Sequence, residues 1–369
     1  MSSTDAQSYH LPLLREHVAL PAGARVLEMG YYDTGGALWA AGGGARVVAL
    51  RPAIDQLTEL ERAVRESGSD GVEPRLALDV QPEERGTFDL ALLLAPFFLG
   101  NAPVRQAMAA AAGALTPEGV LYFQAHKRRG GDTFVRYAGE LFERVELEGM
   151  GGGQRRMYSA AGPRAEVARA AGAAASAAAP PLEVALRGIT LKLRLAAGVF
   201  SAGRVDPGSQ LLAETAEAPP GARILDLGCG AGTLGLALAA ADPRAQVVLV
   251  DSSRPAVELS RENALANELT NAQVLLSDGY AALAGQRYDV VVSNLPAHRG
   301  QQADNSAALE FIAGAPAHLR EGGAAWFVAN KALSYELPAS RAFRRVRVAA
   351  ADARYKVLHC EDPVGERHR

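Results

Sequence analysis

The 369-residue sequence predicts an α/β fold built twice in tandem. Three observations carry that prediction. The second half of the chain repeats the first, each half alternates short apolar runs with helical stretches, and each half closes on two apolar runs that pair around a short turn.

The repeat can be read letter by letter. "ARVLEMG" at Ala24 returns as "ARILDLG" at Ala222, and "FDLALLLAPFF" with Asp89 returns as "YDVVVSNLPAH" with Asp289. "EGVLYFQAHK", ending at Lys127, matches "GGAAWFVANK", ending at Lys331. Toward the ends of the copies, "FERVELEG…RRMYSA" parallels "FRRVRVAA…RYKVLHCE". The spacing between partners drifts only slightly along a whole domain, as a duplication requires.

In the second copy, strands are expected at 223–227, 246–250, 273–276, 289–293 and 324–329, with helical stretches between them. Crossover connections of that length make these strands parallel. The last two strands, near 345–349 and 355–360, have only a short polar turn between them and must be antiparallel. An open parallel sheet that finishes in such a hairpin is the class I methyltransferase arrangement rather than the dehydrogenase one. The expected fold class is therefore two tandem class I methyltransferase (Rossmann-like) domains, each a mostly parallel sheet with a C-terminal antiparallel hairpin.

Between the copies lies "PRAEVARAAGAAASAAAPP", rich in alanine, poor in large apolar residues and closed by two prolines. Alanine favours helix and the prolines forbid its continuation, so the stretch reads as a linker of helical character. The expected domains are 1–162 and 182–369, joined by 163–181.

Composition narrows the function classes. Hydrophobic residues make up 49% of the chain, ample for two cores. A net charge of −3 supplies no global field for nucleic acid, so contact with RNA needs a local basic patch. Cys229 and Cys360 are isolated and fit neither a disulfide framework nor a zinc spacing. The first residues lack the basic-then-apolar pattern of a secretory leader, and no apolar run is long enough for a bilayer. A soluble cytoplasmic protein without a metal is expected; its oligomeric state is open, with a monomer admissible.

The chemistry concentrates in "ILDLGCGAGTLGLALA", a glycine turn between a strand and a helix. Glycines there permit positive φ and close backbone approach, and the helix N-terminus attracts anionic groups. Two templates fit. Gly228, Gly230 and Gly232 give the G-x-G-x-G of S-adenosylmethionine binders, while Gly230, Gly232 and Gly235 give the G-x-G-x-x-G of dinucleotide binders. Asp251, followed by Ser252, ends the next strand and can hold ribose hydroxyls in either case. Asp226 ends the first strand, where a carboxylate can meet the ammonium of a methionine moiety. Asp278 in "LLSDGY" either accepts an adenine amino group or simply makes an Asp-Gly turn. Asn294 follows the fourth strand, at the carboxyl ends where open α/β sheets meet their ligands.

The first copy has lost most of this. Tyr31, Tyr32 and Asp33 follow Gly30, Arg51 stands in place of Asp251, and Leu94 in place of Asn294. Asp79 alone persists, opposite Asp278. The fold is retained there without the cofactor chemistry.

At these residues the chain resembles the small-subunit ribosomal RNA guanine-N2 methyltransferase family, RsmC and its large-subunit relatives. The resemblance covers nearly the whole chain. "GVFSAGRVDPGSQLL" (198–212) is similar to the family's lead-in to the glycine loop, including Phe200, Ser201 and Asp206-x-Gly208-Ser209. "NLPAHRG" corresponds to the family's Asn-Pro-Pro-Phe-His-x-Gly, and "RYKVLHC" is similar to its closing strand.

The resemblance implies a degenerate N-terminal copy that docks substrate and a C-terminal copy that catalyses. It implies methyl transfer from S-adenosylmethionine to the exocyclic N2 of a guanine in 16S ribosomal RNA, with the RNA or the small subunit as partner. Cofactor contacts fall to Phe200, Asp226, Gly228, Gly230, Gly232, Asp251, Ser252, Asp278 and Asn294. The catalytic loop is Asn294, Leu295, Pro296 and His298. The Asn294 amide oxygen and the Leu295 carbonyl are the natural acceptors for the two N–H groups of the target amine.

Two departures stand in that loop. Leu295 replaces the family's first proline and restores a backbone N–H that needs a partner. Ala297 replaces the aromatic that would stack on the base; Phe200, Tyr280, Trp326 and Tyr335 are the other rings available, with core packing the plainer role for each. RNA-contact candidates are Lys127, Arg128 and Arg129, then Arg155 and Arg156, then Arg341, Arg344, Arg345 and Arg347, against the ordinary reading of charge runs as solvated faces. Two rival functions remain: a methyltransferase acting on an amine of a protein or small molecule, and a ribosome-binding protein that keeps the cofactor but barely catalyses.

Overall fold

The structure is a computed structural model that describes residues 10–95, 100–127, 130–176, 180–196, 199, 205–296 and 305–364, without the side chains of 153 and 171–176. The chain divides into two compact units, Met1–Ala177 and Ala178–Arg369.

Unit 1 runs α1 (Leu11–His17), β1 (Arg25–Met29), α2 (Gly35–Gly42), β2 (Arg46–Arg51), α3 (Ile54–Ser67), β3 (Val72–Leu76), β4 (Phe88–Leu93), α4 (Asn101–Ala114), β5 (Leu115–His126), α5 (Gly131–Leu141), β6 (Phe142–Gly151), β7 (Arg155–Pro163) and α6 (Ala165–Ser176). Its seven strands lie in the order β3-β2-β1-β4-β5-β7-β6. Strands β1 to β5 are parallel, and β7 and β6 return antiparallel. The stretch expected as a linker is, over α6, a helix of this unit whose Ala168 is buried.

Unit 2 begins with a hairpin, β8 (Leu182–Leu186) and β9 (Ile189–Leu193). It continues through α7 (Pro207–Thr215), β10 (Arg223–Leu227), α8 (Thr233–Ala241), β11 (Gln246–Asp251), α9 (Arg254–Ala266), β12 (Ala272–Leu276), β13 (Tyr288–Asn294), α10 (Ser306–Gly314), β14 (Leu319–Asn330), α11 (Glu336–Ala342), β15 (Phe343–Ala351) and β16 (Tyr355–Pro363). The sheet order β12-β11-β10-β13-β14-β16-β15 repeats that of unit 1, again parallel with a closing antiparallel pair. All seven expected strands of this copy are present.

The duplication extends to details that composition cannot dictate. In both units an aspartate at the start of the fourth strand accepts the backbone N–H of the first: Arg25 N–H to Asp89 at 2.8 Å and Arg223 N–H to Asp289 at 2.7 Å. The same arginines lie over the ring beside that aspartate, Arg25 on Phe88 and Arg223 on Tyr288. The register also slips at matching places, at Phe88/Leu90 and Tyr288/Val290, and again at Leu147/Gly149 and Val348/Ala350.

The hairpin of β8 and β9 was not legible in the sequence. Its turn is Arg187-Gly188, both at positive φ (53° and 74°), the two-residue geometry usually marked by Asn-Gly. Leu186, Leu191 and Leu193 are buried in the core of unit 2.

Alternation in the central strands decides what faces the site. On β10, Ile224 packs into one core layer while Leu225 and Leu227 pack into the other, so Asp226 shares the face of Ile224. On β13, Val290 and Val292 lie in that same first layer, which places Asn294 on that face too. Asp226 and Val292 are direct register partners. Two polar residues from distant stretches thus meet at the carboxyl end of one sheet face.

Candidate active site

The turn from β10 to α8 is held open by Gly228, Gly230 and Gly232, all at positive φ (75°, 56° and 82°). Those are the glycines of the G-x-G-x-G template, and side chains there would be strained. Gly235 has a different reason: a Cβ would lie 2.7 Å from Leu249 and 2.8 Å from the Asp226 carboxylate. It permits α8 to pack tightly on the sheet.

Several polar groups of the loop are tied down. Gly228 and Cys229 donate their N–H groups to the Val250 carbonyl, each at 2.9 Å. The Asp251 carboxylate accepts from Gly230 N–H and Ser253 N–H, both at 2.8 Å. From α9, Ser260 Oγ donates to the Gly230 carbonyl at 2.7 Å, and Asn263 Nδ2 donates to the Ala231 carbonyl at 2.9 Å. Both α9 side chains are fully buried. Asn263 also exchanges hydrogen bonds with the backbone of Arg194, just after β9, coupling the hairpin to the loop. The sequence reading missed Ser260 and Asn263; a Ser and an Asn three apart on the buried face of a helix were the available signal.

Asp226 is 1% exposed and accepts the Gly235 N–H at 2.8 Å. Burial pushes its carboxyl up to about 7, the Gly235 bond pulls it down, and the neighbouring Asp251 charge raises it further. Among the described residues, no cationic side chain contributes to this shift.

In the same recess, Asn294 Nδ2 donates to Asp206 Oδ2 at 2.7 Å and to Ser209 Oγ at 2.9 Å. Asp206 Oδ2 also accepts the Ser209 N–H at 2.8 Å and so caps α7. Asp206, Ser209, Asp226, Gly228, Cys229, Ala231, Thr233, Leu234 and Asn294 line one open recess. Asp206 and Ser209 stood in the quoted lead-in segment without assigned roles.

Leu295 finds the partner its N–H needs in the Val328 carbonyl at 3.0 Å, one bond beyond the last register pair of β13 and β14. Its side chain is 5% exposed, in the core layer that also holds Tyr335. Pro296 follows it. Ser252 and Asp278 are half-buried at the carboxyl ends of β11 and β12. The Asp278 carbonyl accepts the Ala281 N–H, with Gly279 at φ 50°, so this residue does make an Asp-Gly turn.

Phe200, Ala297, His298, Arg128 and Arg129 lie outside the described residues. Of the other rings, Tyr280 stacks on His318 and donates its hydroxyl to the Phe311 carbonyl, and Trp326 stacks on His359. Tyr335 is 3% exposed. Lys331 is exposed, with Nζ on the Asp352 carbonyl. Lys127, also exposed, donates its N–H to the Gln154 carbonyl, and His126 pairs with Arg155. Two basic segments separate in sequence therefore meet at one sheet end of unit 1.

Unit 1 packs its own side chains where unit 2 has a recess. Glu28, in the place of Asp226, is bridged by Arg51 at 2.8 Å, both fully buried. Burial lifts the Glu28 carboxyl and the Arg51 guanidinium pulls it back. Arg51 also donates to the Leu50 and Asp33 carbonyls. A Cβ on Gly30 would strike the Glu28 carboxylate at 1.9 Å, and one on Gly36 would strike Leu94 at 2.3 Å.

The sheet order with its reversed closing strand, and a glycine loop joined to an acid at the end of the second strand, define a class I methyltransferase fold. Residues 190–359 match the family model described as the methyltransferase small domain. A Thermus thermophilus 16S rRNA N2 methyltransferase, RsmC, solved in complex with AdoMet and guanosine, superposes with a TM-score of 0.79 at 30% identity, over 95% of this chain and 91% of that one. The chain belongs to the RsmC family.

Ribosomal RNA small subunit methyltransferase C from Hamiltonella defensa is 38% identical over 45% of this chain and 49% of its own length. That from Salmonella choleraesuis is 41% identical over 47% of this chain and 50% of its own. A large subunit methyltransferase G from Streptomyces avermitilis is 38% identical over 44% of this chain and 43% of its own. The matched part of the chain thus spans about half the length of these curated relatives.

Proposed function

We propose that unit 2 transfers a methyl group from S-adenosylmethionine to the exocyclic N2 of a guanine in 16S ribosomal RNA, and that unit 1 docks the substrate. The observation that carries this reading is one recess whose lining joins an acidic wall, the buried Asp226 carboxyl, to the Asn294 amide. The acidic wall suits a cationic ligand, and the glycine backbone suits one that must approach closely.

S-adenosylmethionine supplies an electrophilic sulfonium methyl when bound. Asp226 would hold its ammonium group and Asp251 its ribose hydroxyls, with Ser252 and Asp278 toward the purine; Phe200 belongs to the set expected from the sequence. An aromatic amine is a poor nucleophile because its lone pair is delocalised into the ring. Acceptors on its two N–H groups, Asn294 Oδ1 and the Leu295 carbonyl, favour the pyramidal form that attacks. A bond forms from N2 to the methyl carbon as the carbon–sulfur bond breaks, and the amine proton leaves to water. Pro296 and His298 complete the catalytic loop expected from the sequence, and the base must be unstacked to enter. On unit 1, Lys127, Arg128 and Arg129, with Arg155 and Arg156, are the phosphate contacts.

The test is transfer of labelled methyl to small subunits and to naked 16S RNA from cells lacking the protein, with the product nucleoside identified. N2-methylguanosine in either substrate is the expected result, and the better substrate identifies the partner. Label in neither would overturn the reading. Label on a protein or small molecule alone would reassign the acceptor.

A further inference from the structure

We propose that Asp206 is a positioning residue, holding the Asn294 carboxamide with its oxygen toward the amine to be methylated. The use of that oxygen rests on the methyl-transfer reading above; its orientation does not.

Both hydrogens of Asn294 Nδ2 are engaged, on Asp206 Oδ2 at 2.7 Å and on Ser209 Oγ at 2.9 Å. Flipping the amide would turn its oxygen onto a carboxylate that can only accept, so the flipped state is repelled. The amide oxygen is the remaining polar atom of a side chain that lines the recess. A carboxylate on the amide nitrogen also polarises the group and makes the oxygen a better acceptor.

Asp206 is itself fixed by two further contacts. Its Oδ2 caps α7 through the Ser209 N–H, and Tyr355 at the start of β16 places its hydroxyl 3.5 Å from Oδ1. A Cβ on Gly208 would lie 2.9 Å from both the Asp206 carboxylate and the Tyr355 ring, so this close approach requires glycine. A helix cap alone needs only the Ser209 N–H. The second donor, brought to the same oxygen from 88 residues away, is what a capping role does not explain.

The experiment compares wild type with Asp206→Ala and Asp206→Asn in the full chain. It measures methyl-transfer kinetics, S-adenosylmethionine affinity, Tm and the side-chain amide NMR signals of Asn294, assigned with Asn294→Asp. Asp206→Ala is expected to shift the Asn294 signals and speed their exchange, and to lower kcat about a hundredfold. KM for RNA and cofactor affinity should stay within about threefold of wild type. Asp206→Asn keeps an acceptor oxygen for both donors and is expected to recover about tenfold of the lost rate, which also covers a failure of the alanine variant to fold. Unmoved Asn294 signals, or a lower Tm with kcat within about threefold of wild type, would reduce Asp206 to a cap and overturn the inference. A wild type that methylates nothing while its Asn294 signals still respond would instead remove the methyl-transfer reading and leave the clamp.

Discussion

Burial pushes the Asp226 carboxyl up to about 7, and the Gly235 N–H only partly offsets it, because the adjacent charge is Asp251 and not a cation. The consequence for stability has a definite sign. Below about pH 4 the carboxyl is protonated in both folded and unfolded chains and costs nothing. Between about 4 and 7 the unfolded chain ionises while the folded one stays protonated, so stability falls as pH rises, then levels off. Asp226→Asn keeps an acceptor for the Gly235 N–H without the charge. It is expected to be more stable than wild type by on the order of 2–4 kcal/mol at pH 8, with the gap closing toward pH 4. The same charge is what a cationic ligand needs: wild-type affinity for S-adenosylmethionine should rise from pH 6 to 8, whereas the variant should bind weakly throughout. Thermal melts across that range check the stability gap, and calorimetric titrations of wild type and variant that ran parallel would make Asp226 merely structural.

At the scale of elements, β13 and the residue that follows it explain why the loop departs from its family. A proline at 295 could not donate to the Val328 carbonyl, and its ring would not fill the space of a leucine that is 5% exposed. Leu295 extends the β13–β14 pairing by one bond and fastens Asn294 to the sheet from its C-terminal side, as Asp206 does through its side chain. Leu295→Pro brings the sequence nearer the family pattern yet is expected to lower stability by about 1–3 kcal/mol. An unchanged or higher Tm would mean that the hydrogen bond and the buried side chain contribute nothing. The element-scale pattern was legible in advance wherever it rested on periodicity, as in the seven strands of the second copy. The β8–β9 hairpin escaped notice because Arg-Gly is an unusual pair for a turn in which both residues take positive φ.

At the scale of the whole molecule, duplication has given one sheet topology two electrostatic solutions. Unit 1 carries its own cation, Arg51, on the carboxylate of Glu28; in unit 2 the equivalent Asp226 has no such partner among the described residues. The first solution fixes a core and the second suits a cationic ligand. Arg51→Ala should therefore cost unit 1 about 3–5 kcal/mol, by leaving Glu28 buried and unpaired. The affinity of unit 2 for S-adenosylmethionine should stay at the wild-type value. Melting followed by fluorescence, with titration of the same variant, separates the two effects; a parallel loss of affinity would show that the units are not energetically independent.

The sequence by itself determined the duplicated fold, the strands and their direction, the glycines that need positive φ, and the candidate acids at the strand ends. Those follow from local signals: alternation, connection length and residues that tolerate unusual backbone angles. Only the tertiary structure decided which polar groups serve one another. Asp206 and Asn294 stand 88 positions apart and meet because α7 packs beside the carboxyl end of β13. Ser260 and Asn263 reach the glycine loop because α9 buries that face, and Arg51 finds Glu28 because β1 and β2 are neighbours. A hydrogen bond of this kind depends on distances of a few tenths of an ångström, set by the packing of whole elements rather than by the letters on either side of a residue.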